Sequence, residues 1–514
     1  MPLEFDTARV SVPVAPQRTD ITCFVGYVRT RNTPLPRQVT EDLRAAGWID
    51  GPWRRSEAQV RTLEQLPVVV ESWDAFDQIF DWRSRPVAAG SAATCASYLG
   101  AAVRRFFAQG GRRAIVVRVG DPWPFMDAAG TRAANRTARI APLVPQFVVP
   151  SLPFDPTDPR TWRGIQHLYG LPEASLLCTP DLADACGGDP APPDATLPLV
   201  PVSEGFVECS HSEVVPSDDL ALRRLHAPRS DADGLADWIS ALAAVRAFLA
   251  GSRRDVVLIG ALPLMANAAA HREPLAYLEQ QNVLLADGLL PGRASSAFVQ
   301  LAYPWLSTRA AADLPELLEP PDGLLTGVIA AGALARGTFR SVAGTLLPAV
   351  VDTEPVASWG LGSDHPWAAL AERICLVALQ PDGWALQSDV TTSPASAWRA
   401  GGVSRMLASL VRAARATGET ELFGANGPAL WTRVRRHLES LLTAYWQEGG
   451  LGGSSLDEAF EVRCDRSTMT QADLDAGRLI AKIRVLPAAA IERITVVLAL
   501  SAAGQIVGEV REVA

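Results

Sequence analysis

Residues 98 to 119 read as a helix, a two-glycine stop and a buried strand with nothing between them. Tyr98, Leu99, Ala102, Val103, Phe106 and Phe107 recur at helical spacing, Gly110-Gly111 ends the helix, and Arg112-Arg113 lead into the apolar run Ala114 to Val119. A strand apolar on both faces has to be covered on both sides, which is the condition of a sheet packed between helices. The same grammar recurs at Trp162 to Tyr169 before Ala174 to Cys178, and at Leu235 to Leu249 before Asp255 to Gly260. The expected fold class is α/β with mixed α+β parts. At 514 residues the chain is expected to form two to four domains.

Around these units the punctuation sets the organisation. Val10, Val12 and Val14 alternate before Pro16 and predict an extended N-terminal arm ahead of a first strand from Ile21 to Val28. Residues 31 to 66, rich in Pro, Arg and polar side chains, predict an inserted loop or arm. A strand at Val68 to Val70 is followed by Ser72 as an N-cap and by Trp73, Phe76, Ile79 and Phe80 at helical spacing. Pro-rich connectors run from Pro150 to Pro159 and from Pro190 to Pro201.

The last third reads as a separate α/β module: a strand at Arg373 to Leu379, a helix at Trp398 to Ala414, and a second helix over 428 to 447. Trp431, Val434, Leu438, Leu441, Leu442 and Tyr445 give that second helix one apolar face, and the glycines from Gly449 to Gly453 end it. Strands are predicted at Ala459 to Cys464, Arg478 to Leu486, Arg493 to Leu500 and Gln505 to Val510. The expected division is therefore 1–25 for the arm and first strand, 26–350 for an outer part with insertions, 351–490 for a C-terminal module and 491–514 for a closing strand or arm. A chain that closes on strands offers an unpaired edge to another subunit.

Chemistry is sparse. A net charge of -9 leaves no basic footprint for nucleic acid, so no nucleic-acid partner is expected. The apolar stretches around Val256 to Leu264 and Leu324 to Ala335 fall short of the roughly 20 residues that span a bilayer, so no membrane partner is expected. The opening Met1 to Asp6 has neither the basic start nor the apolar run of a signal peptide, and cytoplasmic folding follows as the expectation. Seven scattered cysteines, an odd number, suit buried thiols in a reducing compartment. Lys482 is the one lysine among 47 basic residues, and its strand-like setting suits neither a phosphate loop nor a Schiff base. No two of the six histidines stand at i,i+4, and no Gly-x-Ser-x-Gly elbow occurs. Cys209 with His211 and Asp364 with His365 are suggestive pairs without further ligands nearby, and Asp473 and Asp475 beside Gly477 lack the rest of a calcium loop and read as a solvated turn. No catalytic residue, cofactor or metal is expected. Arg433, Arg435 and Arg436 on the 428–447 helix read either as a solvated face, with Arg435 paired to Glu439, or as a docking row for an acidic protein.

The segment from Tyr98 to Val119, preceded by Val69-Val70-Glu71-Ser72-Trp73-Asp74-Ala75-Phe76, closely resembles the helix, Gly-Gly turn and strand near the start of tail sheath proteins of contractile phage tails and phage-tail-like contractile injection systems. Leu176-Leu177-Cys178-Thr179-Pro180-Asp181 is similar to a family strand that ends in Pro-Asp. Leu430, Trp431, Arg433, Val434 and Arg435, then Gly452, then Phe460 to Asp465, then Asp473 to Leu479, resemble the family's C-terminal pattern in order and spacing. The resemblance departs at the opening strand, in the long 31–66 insertion and at Gln380 to Ser388.

What the resemblance implies is a non-enzymatic, self-assembling sheath subunit. It would form stacked rings around an inner tube protein, with its C-terminal module facing the tube, inserted domains outside, and terminal arms adding strands to neighbouring copies. Baseplate and cap proteins would be further partners. Arg433, Arg436 and Ser440, off the apolar face, are the candidate tube-facing residues. The alternatives are a sheath-like paralogue at the baseplate or cap end and, from a different class, a nucleotide-binding α/β enzyme.

Overall fold

In a computed structural model, the chain is described over residues 18–128, 130–148, 154–189, 222–267, 273–281, 283–284, 294–357, 366–420, 427–488, 494–500 and 506–512. It divides into two compact units, one of Thr19–Arg405 and one that holds the chain from Met406 onward.

The larger unit is organised by an eight-stranded sheet in the order Gly383–Leu386, Cys375–Gln380, Val299–Tyr303, Val257–Ala261, Leu176–Cys178, Thr22–Tyr27, Ala114–Gly120 and Pro67–Val70. The six inner strands pair parallel, and the strand at each edge pairs antiparallel. Alternation along each strand separates two cores. Cys23, Val25, Ile115, Val117 and Leu177 point to one, and Phe24, Ala114, Val116 and Cys178 to the other. Each buried strand thus fills two layers at once, as its two-sided apolar sequence requires.

The helix Tyr98–Ala108 starts on Ser97, whose hydroxyl accepts the Gly100 N–H, and Gly110 takes the left-handed φ of +99° that stops it before Ala114–Gly120. The helix Asp322–Arg336 packs on it through glycine. A Cβ on Gly323 would stand 2.5 Å from the Ala102 Cα, so only glycine permits this approach. The helix Ala232–Ser252 is long and apolar enough to cross a membrane, but its Leu235, Trp238, Ile239, Leu242, Val245 and Leu249 are buried in the first core.

Residues 31–66, expected to be a loop or arm, contain the helices Arg37–Ala45 and Glu57–Thr62. They bury Val39, Leu43, Trp48, Leu63 and Leu66 in the second core. The segment between Trp162 and Tyr169, expected to be a helix, is a 3-10 stretch over Gly164–Gly170.

The smaller unit pairs two long helices with a four-stranded antiparallel meander, Phe460–Arg463, Leu479–Val485, Ile494–Leu500 and Ile506–Glu512, in sequence order. The helix Gly401–Thr420 carries the unit boundary within it. Asp473 is the N3 residue of a capping box on Thr470 that opens the short helix Gln471–Asp475. The units therefore divide near residue 405 and not at 350. Cys375–Gln380, grouped by chain order with the C-terminal module, lies in the large sheet beside Val299–Tyr303, and Thr22–Tyr27 lies in the same sheet. Residues 1–17 of the expected arm lie outside the described residues.

Candidate interface

The helix Pro428–Gln447 opens with proline at its first position, where an N–H would have no intrahelical partner in any case. Leu430, Trp431, Val434, Leu438, Leu441, Leu442 and Tyr445 are buried along one face, which packs on the strand Phe460–Arg463. Tyr445 shares a hydrogen bond with the Ser409 hydroxyl on the preceding helix. Arg433, Arg436 and Ser440 are exposed, and their i, i+3, i+7 spacing makes one stripe on the outer side. Arg435 is half-buried and lies 3.6 Å from Glu439, so its charge is engaged within the helix.

Glu439 also borders a cleft of about 340 Å³, together with Asp457, Glu458, Glu461 and Arg484. Glu461 takes Arg463 at 2.5 Å and Arg484 at 3.2 Å. One helix therefore carries arginine on its outer stripe and borders a largely carboxylate cleft, an arrangement suited to binding charged protein surfaces.

Groups capable of chemistry are tied into the fold. Among the described residues no set of three His, Cys, Asp or Glu is placed to hold a metal ion. Among the described residues six cysteines are free and buried, and burial pushes Cys23 and Cys375 up to about 12, where a thiolate does not form at neutral pH. Burial also raises Asp181 to about 7, against the hydrogen bond that it accepts from the Tyr27 N–H at 2.7 Å. That carboxylate fills the space beside Gly26, where a Cβ would lie 2.3 Å from its oxygen, so it anchors the end of Thr22–Tyr27. Cys209, His211, Asp364 and His365 lie outside the described residues.

Pattern reading missed the buried arginines. Asp184 meets Arg85 at 2.7 Å and Arg132 at 3.0 Å, with all three side chains at most 2% exposed. Arg405 meets Asp389 at 2.7 Å, and Arg105 meets Glu319 at 2.6 Å, both pairs buried. Guanidinium suits such pairs because it stays charged and hydrogen-bonds in a fixed plane. The abundance of arginine in the composition was the available signal, but it does not say which carboxylate each one meets.

Comparison with protein-family models and with curated proteins finds no match. Solved structures match over almost all of the chain. A chain of the anti-feeding prophage helical sheath in the contracted state is 18% identical, with a TM-score of 0.52 over 95% of this chain and 94% of that one. The chain has the tail sheath fold. A chain from the anti-feeding prophage baseplate in the contracted state is 18% identical, with a TM-score of 0.53 over 94% and 93% of the two chains. One from the six-fold symmetrised baseplate is 16% identical, with a TM-score of 0.51 over 95% and 96%. At such identities the sheath fold is kept by burial pattern and by strand and helix order. Tyr98, Leu99, Ala102, Val103 and Phe106, the Gly110 stop, the strand Ala114–Gly120, and Leu430, Trp431 and Val434 of the second helix are of that kind.

Proposed function

We propose that this chain is a structural sheath subunit that polymerises helically around an inner tube and drives the tube outward when the sheath contracts. The observation that carries this reading is the likeness to a chain of a contracted helical sheath over 95% of this chain. The subunit works through protein surfaces and not through catalysis. Its smaller unit faces the tube, and the stripe of Arg433, Arg436 and Ser440 meets carboxylates there. Other copies of the chain, held by terminal strands, and baseplate and cap proteins complete its partners. Assembly takes place in the cytoplasm, and the product is a phage tail or phage-tail-like particle.

Negative-stain electron microscopy of the chain, expressed alone and together with the products of its neighbouring genes, tests this. Hollow tubes or sheathed rods are expected. Small monodisperse particles in both preparations would overturn the lattice-forming role. A second reading rests on the two baseplate structures among the matches: a sheath-fold subunit at the baseplate or cap end. Such a subunit would occur in few copies per particle, so copy number separates the two.

A further inference from the structure

Four carboxylates enclosed in the larger unit are closed by arginine: Asp184, Asp255, Glu319 and Asp389 each meet a guanidinium within 3.0 Å. Asp181 and Asp322 are enclosed as deeply, 2% and 1% exposed, yet among the described residues neither forms an ion pair. Both stand where elements pack together. Asp181 follows the strand Leu176–Cys178 and accepts the Tyr27 N–H at 2.7 Å and the Leu99 N–H, in the first turn of the helix Tyr98–Ala108. Asp322 opens the helix Asp322–Arg336, accepts the Gly323 N–H at 2.8 Å and is hydrogen-bonded to the Cys178 thiol at the end of the same strand. Gly323 is the residue through which that helix approaches Ala102 of Tyr98–Ala108. One strand end and one helix pair therefore enclose two carboxyls that no cation neutralises.

An ionised carboxyl in a fold interior has to be compensated, and here the compensation is three backbone N–H groups and a thiol. Protonation removes the charge instead. Burial outweighs the hydrogen bonds and raises both groups from 3.8 to about 7. Asp184 adds to the rise at Asp181 and Glu319 to that at Asp322, while Arg85, already paired with Asp184, opposes it at Asp181. Tyr27 and Cys178 face the same carboxyls and are kept neutral by burial. We propose that Asp181 and Asp322 form a proton-dependent brace: protonated, they let the helices Tyr98–Ala108 and Asp322–Arg336 close on the strand end, and loss of their protons loosens that packing. The sign follows from proton linkage. Folded values above the ordinary 3.8 make the stabilisation complete below about pH 4 and remove it as pH rises towards 7.

The double variant Asp181→Asn, Asp322→Asn places a neutral group of the same shape at both positions. Denaturant midpoints of the full chain and the variant, followed from about pH 4 to about pH 9, are expected to draw apart, the variant gaining until about pH 7 and keeping a constant lead above it. A gap that does not change with pH marks a merely structural role and overturns the brace. Hydrogen exchange at about pH 8 locates the loosening: amides of 98–108 and 322–336 should exchange more slowly in the variant than in the parent. Equal rates in both helices would overturn the assignment to this pair. Infrared spectra of the parent alone keep the proposal falsifiable where the variant does not fold. At about pH 6, where ordinary carboxyls are ionised, the carbonyl band of a protonated carboxyl is expected, and it should fade by about pH 8. Its absence under the more acid condition would equally overturn the proposal.

Discussion

Asp184 neutralises two arginines in the interior of the larger unit, and removing it leaves both charges stranded. Asp184→Ala is expected to destabilise that unit by about 3–5 kcal/mol, the effect of breaking a buried ion pair from one side, read from denaturant unfolding. The partners are distant in sequence, with Arg132 some 52 residues away, so no spacing rule could have joined them. His167 makes a second prediction at this scale. Burial lowers it from 6.5 to about 3, so the fold holds it neutral while the unfolded chain protonates it near 6.5. Its contribution to stability is therefore present above pH 6.5 and is lost as pH falls towards 3. His167→Leu should flatten that acid limb in a series of denaturant midpoints against pH, and an unchanged slope would refute the assignment.

Elements were legible where periodicity ran long. The helix Pro428–Gln447 spans the segment expected from its apolar spacing, and the four strands Phe460–Arg463, Leu479–Val485, Ile494–Leu500 and Ile506–Glu512 overlap the spans expected for them. Ser72 caps Trp73–Ile79 by accepting the Ala75 N–H at 3.1 Å. Ser72→Ala should accordingly cost about 1 kcal/mol in thermal or chemical unfolding. The helices inside residues 31–66 escaped notice because each is short, and Val39 and Leu43 are the only buried residues of the first. Two apolar side chains one turn apart do not separate a helix from a loop. The strand Cys375–Gln380 was legible as a strand but not as a member of the large sheet, because its parallel partner Val299–Tyr303 lies far back in the chain. Local pattern specifies an element, while non-local pairing decides the unit to which it belongs. Of the candidate interface, the exposure of Arg433, Arg436 and Ser440 follows from the helical period alone. The cleft beside Glu439 needed the turn of the chain after the helix to bring Asp457 and Glu461 round.

For the assembled molecule, the arginine stripe sets the expectation. The double variant Arg433→Glu, Arg436→Glu should fold like the parent by circular dichroism, since both side chains are exposed, yet fail to co-purify with the tube protein. Parental binding should also weaken with added salt, because exposed charges are screened over about 10 Å at 0.1 M. Undiminished recruitment of the tube by the variant would defeat the tube-facing assignment. A different property of the chain makes the particle countable. Lys482 is its one side-chain amine, and it is exposed in the strand Leu479–Val485, in register with Arg463 and Val497. Amine-reactive dye should therefore place one lysine-borne fluorophore on each subunit, so that photobleaching steps on single immobilised particles tally subunits directly: long staircases for a body protein, a handful for a terminal ring.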